Sequence, residues 1–175
     1  TLPLYHKEQF NLTEFQSGLL LTLNGLLIFF LEMPIVSYIE KHKINKLKIL
    51  AYGCFAMAGS FYILLWNGWA GFLIIMMLFM TFGEMLAFPF SNSFAMSRAP
   101  IGHEGRYMAI FTMSFSMAHI LSAKTGMEII DRFSYQGNWF FMGTLGFIGV
   151  LLFYWVIKLV RKEPARNLLT KKEVN

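Results

Sequence analysis

Five long runs of apolar residues set the strongest limit on what this chain can fold into. They occupy residues 18–38, 49–66, 71–94, 107–130 and 139–160. Each has roughly the 20 residues that a helix needs to cross about 30 Å of hydrocarbon at 1.5 Å per residue. The runs therefore predict an all-α membrane protein with five transmembrane helices. Because the number of spans is odd, we expect the two ends of the chain on opposite sides of the membrane.

Composition supports this fold class and excludes several kinds of function. The 175 residues are 56% hydrophobic and only 14% charged, which is more apolar than a soluble domain of this size can bury. The net charge of +5 does not indicate nucleic-acid binding, because the aromatic side chains lie inside the apolar runs and the basic ones between them. Cys54 is the single cysteine, so the chain holds neither an internal disulfide nor a cysteine metal site. We predict no cofactor.

The basic residues are distributed unevenly between the two sides of the predicted membrane. Twelve of the 15 fall in the loops after the first and third runs, or at the end of the fifth run and beyond it: Lys41, Lys43, Lys46, Lys48, Arg98, Arg106, Lys158, Arg161, Lys162, Arg166, Lys171 and Lys172. Lys and Arg in short loops are retained on the cytoplasmic side. We therefore predict a multi-pass protein of the inner membrane, with an external Thr1, a bundle over residues 1–163 and a cytoplasmic basic tail over 164–175.

Glu84 is the residue most suggestive of function. It lies near the middle of the third span, where an unpaired carboxylate costs at least a few kcal/mol. Thr81, Phe88 and Ser91 share its helix face, so this face can line an aqueous cavity. Glu84 is thus predicted to bind substrate or a proton; the alternative is a neutral carboxyl held by a neighbouring helix. Pro89 bends the same helix, either for gating or as a static kink.

Other polar residues inside the spans are weaker candidates. Asn24 and Glu32 lie in the first span, and His119 lies in the fourth on a face with Thr112 and Ser116. We predict that Glu32, Asn24 and His119 contribute to substrate or proton binding, although a histidine that only joins two helices is the commoner case.

Two charged residues near the end of the fourth span form a second kind of candidate. Lys124 and Glu128 stand four residues apart, with Asp131 and Arg132 in the next turn. They are predicted to form an external cluster of ion pairs rather than a substrate site.

Glycine and tryptophan residues predict how the helices pack. Small residues recur in the second span at Gly53, Ala56 and Gly59, and in the fifth at Gly143, Gly146 and Gly149. They would let helix backbones approach closely. The short connection at 67–70, flanked by Trp66 and Trp69, predicts a tight external hairpin between antiparallel second and third spans.

No catalytic or metal-binding motif occurs in the chain, so we predict that it is not an enzyme. An intramembrane enzyme would need Glu84 and His119 to converge at one depth. A structural membrane subunit is the third possibility.

The segment GEMLAFPFSNSFAMSRAPIGHEGRYMAIF, residues 83–111, resembles the major facilitator superfamily, particularly its proton-coupled drug antiporters. Gly83, Glu84 and Pro89 are similar to the tenth helix of that family. The following loop is similar to the connection from its tenth to its eleventh helix, through Ala99, Pro100, Gly105, Arg106 and Met108. The resemblance implies that the five spans are helices eight to twelve of a twelve-helix fold, whose N-terminal half would be a missing partner.

The same resemblance implies a function. Such a protein is a secondary transporter that moves a small molecule by alternating access, here by proton-coupled efflux. Proton-coupled peptide or nutrient uptake is the alternative, because those transporters carry a similar Gly-Glu and Pro pattern. Glu40 and Lys41 resemble the acid and base of a cytoplasmic motif after the eighth helix, although Ser37 stands where that motif usually has glycine. Arg106, Glu40 and Lys41 are therefore implied in gating. The implied partners are the substrate, protons and the lipid bilayer.

Overall fold

The computed structural model describes residues 2–66 and 71–173, with side chains up to residue 161 apart from that of residue 3. Every regular element in these residues is an α-helix. The helices are α1 (Leu2–Phe10), α2 (Glu14–Lys41), α3 (Lys46–Ile63), α4 (Gly71–Ser97) and a last helical stretch, Glu104–Glu173. Ser134 has non-helical dihedral angles and divides this stretch into α5 (104–133) and α6 (135–173).

Side-chain caps explain where α2 and α3 begin. The amide of Gln16 donates to the Thr13 hydroxyl at 3.2 Å, and the amide of Thr13 donates to the Gln16 side chain at 2.9 Å. This reciprocal pair satisfies amides that a helix start leaves without partners. Asn45 accepts from the amide of Leu47 at 3.0 Å and caps α3 in the same way. Consequently α2 begins at Glu14, a turn before the predicted span.

The helices agree with most of the predicted membrane spans. Three of them, Glu14–Lys41, Gly71–Ser97 and Glu104–Arg161, are long and apolar enough to cross a membrane. The third is divided at Ser134 into two lengths, and each exceeds the roughly 20 residues needed for one crossing. α3 ends at Ile63, before the predicted Trp66, and its first turn holds Lys46 and Lys48, which makes it less apolar. The connection at 67–70 and Trp69 lie outside the described residues.

Two apolar clusters lie at opposite ends of the bundle. We call one end the α1 end; its buried residues are Tyr5, Leu64, Leu73, Met76, Tyr135 and Trp139. We call the other the basic end, because the basic loops adjoin it; its buried residues are Ile39, Leu47, Ile49, Leu50, Phe90 and Ile157. α3 and α6 contribute to both clusters and run in opposite directions, and α3 is likewise antiparallel to α4.

Glycines allow α3 to contact both of its neighbours closely. A β-carbon on Gly146 would lie 2.6 Å from the β-carbon of Ala58, and one on Gly53 would lie 3.0 Å from the carbonyl oxygen of Gly83. The predicted packing role is therefore confirmed for these glycines. Gly59 differs, because a β-carbon there would meet no atom within 4 Å.

The chain reverses direction at Ser134. Ile130, shortly before it, packs on the α1-end cluster, whereas Ile157, on α6, lies in the basic-end cluster. Ser134 achieves the reversal with φ 71° and ψ 174°, a conformation that is essentially restricted to glycine. The predicted fourth and fifth spans leave a longer connection between them, residues 131–138. One non-helical residue is enough to reverse the chain, because Ser134 adopts this strained backbone conformation.

Replacing Ser134 by Gly should stabilise the protein by about 1 kcal/mol. Glycine removes the steric cost of the positive φ, and this gain exceeds the added entropy of the unfolded chain. The midpoint of thermal unfolding in detergent measures the effect. Ser134→Ala is the matched control and should bring no gain, so equal stabilisation by both variants would contradict the explanation.

Large faces of α2 and α5 are not covered by the rest of the described chain. None of the most apolar part of α2 is buried. The side chains of α5 from residue 112 to residue 124 are exposed. These faces are open to lipid or to further protein.

Candidate substrate and proton site

Glu84 lies at one side of a cavity of about 150 Å³ between α1, α2 and α4. Three polar residues line this cavity: His6, Asn24 and Glu84. The rest of its wall is leucine and methionine, namely Leu2, Leu20, Leu21, Leu73, Met76, Met77 and Met80. The space is smaller than the roughly 300–1,000 Å³ of drug-sized pockets. An apolar wall with few polar groups is suited to a small solute or a proton.

Asn24 connects Glu84 to Thr81. The Asn24 side chain lies beside the Glu84 carboxyl in the cavity wall. Its Oδ1 also accepts from the hydroxyl of Thr81, at 2.6 Å. Thr81 is 1% exposed and lies 2.7 Å from the carbonyl oxygen of Met77, one turn earlier on α4. α2 thus supplies the partner that compensates the carboxyl of α4.

The Asn24 amide can serve Glu84 in both of its protonation states. With Oδ1 on Thr81, the NH₂ group is left free to donate to an ionised Glu84 carboxylate. If the amide turns over, Oδ1 accepts from a protonated Glu84 and the NH₂ group donates to Thr81, whose own proton then goes to Met77. Every group keeps a partner in each arrangement. The carboxyl can therefore gain or lose a proton without leaving a buried polar group unsatisfied.

His6 closes the cavity from the α1 end. It is 5% exposed, and neither ring nitrogen has a hydrogen-bond partner among the described residues. Burial lowers the pKa of the imidazole and keeps it neutral near pH 7. α1 is held over the cavity by Tyr5, packed edge-on against Trp139 at 5.1 Å, and by Tyr135, whose hydroxyl donates to Glu8 at 2.7 Å.

His6 precedes the five predicted spans, so the sequence did not group it with the intramembrane residues, and the structure corrects this. His6 belongs to helix α1, which folds back onto α2 and α4. Only a short pattern in the sequence indicates α1. Leu2, Tyr5 and Phe10 are spaced as on one helix face, and Thr13 and Gln16 then form the cap of α2. Nothing in that pattern states which residues α1 contacts.

Lowering the pH below about 6.5 should loosen α1 from the cavity. The docked helix holds His6 neutral, whereas an undocked His6 takes up a proton near pH 6.5. The free energy that favours docked α1 is therefore greatest above that pH, and it falls by up to about 1.4 kcal/mol for each pH unit below it. Hydrogen exchange of residues 2–10, corrected for intrinsic rates, measures the effect. The dependence should vanish in His6→Gln; its persistence there would exclude His6 as the cause.

Comparison with known proteins adds to this geometry. A family model described as the Major Facilitator Superfamily matches residues 1–174. The chain belongs to this superfamily. Its members are generally membrane transporters rather than enzymes, and the apolar helices agree with a multi-pass membrane protein. Neither the curated proteins nor the solved structures include a match to the chain.

His119 lies on α5, outside the set of residues that line the cavity of this superfamily member. Its ring contacts Phe115 at 5.2 Å, and Phe115 contacts Phe88 of α4 at 5.8 Å. Glu84 lies one turn before Phe88 on α4, and His119 lies one turn after Phe115 on α5. Because α4 and α5 are antiparallel, His119 and Glu84 therefore lie at about the same depth. His119 does not line the cavity, however, and it is exposed.

The polar face around His119 is less costly in lipid than the sequence indicates. The hydroxyls of Thr112 and Ser116 donate to backbone carbonyl oxygens one turn earlier, at 2.9 Å and 3.0 Å. These donors are satisfied within α5 itself. The face therefore does not by itself require a water-filled cavity.

The remaining predicted residues lie away from the cavity. Glu32 is half-buried on α2, with no hydrogen bond or ion pair to a described residue. α4 continues as a helix through Pro89 to Ser97. Glu40, Lys41 and Arg106 are exposed at the basic end, and their gating role stays a prediction. Within the described residues, no group of His, Cys, Asp and Glu side chains could hold a metal ion.

The charged residues near the end of α5 pair differently from the prediction. Glu128 contacts Arg132 at 2.8 Å rather than Lys124, which has no ion pair with a described residue. An acid that precedes its base by four residues is the favourable order on a helix, and Lys124 to Glu128 has the reverse order. Both partners of the observed pair are more than half exposed, so the pair contributes little stability.

Proposed function

We propose that this chain is the C-terminal part of a proton-coupled secondary transporter, in which Glu84 binds the proton or the substrate. The observation that carries the proposal is the contact of Glu84 with Asn24 beside a cavity in a membrane-spanning helix. A carboxyl at that depth needs a compensating partner, and the Asn24 amide accommodates both the ionised and the protonated form. A proton carrier requires this property.

In this proposal α2, α3, α4, α5 and α6 are helices eight to twelve of the superfamily fold, and α1 precedes helix eight. The uncovered faces of α2 and α5 support the assignment, because a partial bundle leaves helix faces for the remaining helices. The basic end would be cytoplasmic, with α1 external and the protein in the inner membrane. Alternating access between two halves of the complete bundle would move the substrate.

We propose efflux as the direction, from the likeness of residues 83–108 to drug antiporters. At about 150 Å³ the cavity holds a proton or only part of an organic cation, whose positive charge the Glu84 carboxyl would compensate beside walls of leucine and methionine. Uptake of peptides or nutrients is the other direction compatible with the same Gly-Glu and Pro pattern.

Transport by the complete gene product in everted membrane vesicles tests the proposal. Vesicles acidified inside by the respiratory chain should take up ethidium, a fluorescent organic cation, and a protonophore should stop the uptake. Proton-dependent entry of a labelled dipeptide into right-side-out vesicles would instead support uptake. Two results would exclude the proposed function. One is that neither probe moves in response to the proton gradient, and the other is that the protein modifies a lipid in a reaction that requires both Glu84 and His119.

A further inference from the structure

A continuous groove runs between α3 and α6 at the basic end of the bundle. It consists of an apolar hollow of about 420 Å³ and a basic hollow of about 270 Å³. The two hollows share Ala51, Tyr52 and Tyr154 in their walls. They therefore form one groove, with an apolar part toward the membrane centre and a charged part at the membrane surface.

The charged part of the groove carries three cations. Lys48 lies in the first turn of α3, and Lys158 and Arg161 are spaced three residues apart on α6, so that the latter two project from the same face. All three are exposed and make no ion pair with any described side chain. Among the described residues that line the two hollows, none is acidic.

The apolar part extends the groove into the membrane. Phe55 and Phe147 line it on opposite sides and pack edge to face at 5.6 Å. Phe55 lies seven residues beyond Lys48 on α3, which corresponds to about 10 Å along the helix. Tyr52 and Tyr154 line both parts of the groove, and their hydroxyl groups can donate to an oxygen-rich group.

We propose that this groove binds an anionic phospholipid. Its phosphate lies among Lys48, Lys158 and Arg161, and one acyl chain follows the apolar wall toward Phe55 and Phe147. A free anion would leave the apolar hollow empty, and a zwitterionic lipid would leave the three cations uncompensated. Both halves of the groove are matched only by an amphiphile with net negative charge. The groove shares no lining residue with the cavity beside Glu84 and does not depend on the proposed transport.

Native mass spectrometry of the detergent-purified protein tests this site. The protein is incubated with equal amounts of dioleoyl phosphatidylglycerol and dioleoyl phosphatidylcholine. We expect bound phosphatidylglycerol to predominate. In Lys158→Gln/Arg161→Gln its preference over phosphatidylcholine should fall about 10- to 30-fold, since each basic residue at a membrane surface contributes about a fivefold preference for anionic lipid.

The matched control is Lys41→Gln/Lys43→Gln, which removes the same charge from the same end of the bundle but outside the groove. It should keep the preference. An equal loss in both variants would show a diffuse basic surface and overturn the site. Binding of soluble glycerol 3-phosphate as strong as that of phosphatidylglycerol would also overturn it, because the apolar hollow would then contribute nothing. Single Lys158→Gln and Lys41→Gln variants give the same comparison if a double variant is unstable.

Discussion

Glu84→Gln should reduce proton-driven transport to the background level while the protein still folds and inserts into the membrane. Glutamine has nearly the shape of glutamic acid and can still hydrogen bond with Asn24, so the contact between α2 and α4 persists. It cannot release or take up a proton, and this removes the coupling. We expect a change in stability within about 1 kcal/mol, the usual net value of one hydrogen bond. Uptake of the probe into energised vesicles is the measurement.

Glu32→Gln is the matched control for this experiment. Glu32 is also a glutamate in an apolar helix, but it lies outside the cavity and has no described partner. The variant should keep most of the flux. Normal proton-driven transport by Glu84→Gln would remove Glu84 from the mechanism, and equal losses in the two variants would show that any intramembrane carboxyl is needed rather than the one held by Asn24.

Gly83→Ala should have the largest effect on stability. A β-carbon at Gly83 would lie 2.9 Å from the carbonyl oxygen of Gly53, 3.0 Å from the amide nitrogen of Met57 and still closer to the Met57 side chain. Two of these atoms belong to the backbone of α3, so α3 and α4 must separate. Overpacking of this kind costs about 1–3 kcal/mol. Because Gly83 precedes Glu84, separation of these helices should also lower transport.

Gly59→Ala provides the comparison, since a β-carbon there meets no atom within 4 Å. It should leave stability unchanged or raise it by up to about 1 kcal/mol through helix propensity. The fraction of protein that remains monodisperse after heating measures both variants. A Gly83→Ala protein as heat-stable as Gly59→Ala would contradict the close approach of α3 and α4.

Local patterns were sufficient for the membrane-spanning helices. Membrane-spanning length depends on consecutive apolar residues, and each helix satisfies its own backbone hydrogen bonds, so the spans could be predicted without knowledge of their neighbours. The packing of Gly143, Gly146 and Gly149 was also predictable, because small residues repeated along one face leave room for another helix. The partner was not predictable. Gly53 lies against Gly83 of α4, whereas the fifth-span glycines lie against other residues of α3.

By itself, then, the sequence determined an all-helical membrane protein and a carboxyl at the middle of one span, because both follow from residues that are consecutive or one helical turn apart. The tertiary structure alone decided what that carboxyl contacts. Asn24 lies 57 residues from the Thr81 that it bonds, and His6 reaches the same cavity from a helix at the start of the chain. Such contacts depend on which faces of separate helices meet, and the apolar periodicity of helices that are hydrophobic on nearly every side does not specify those faces.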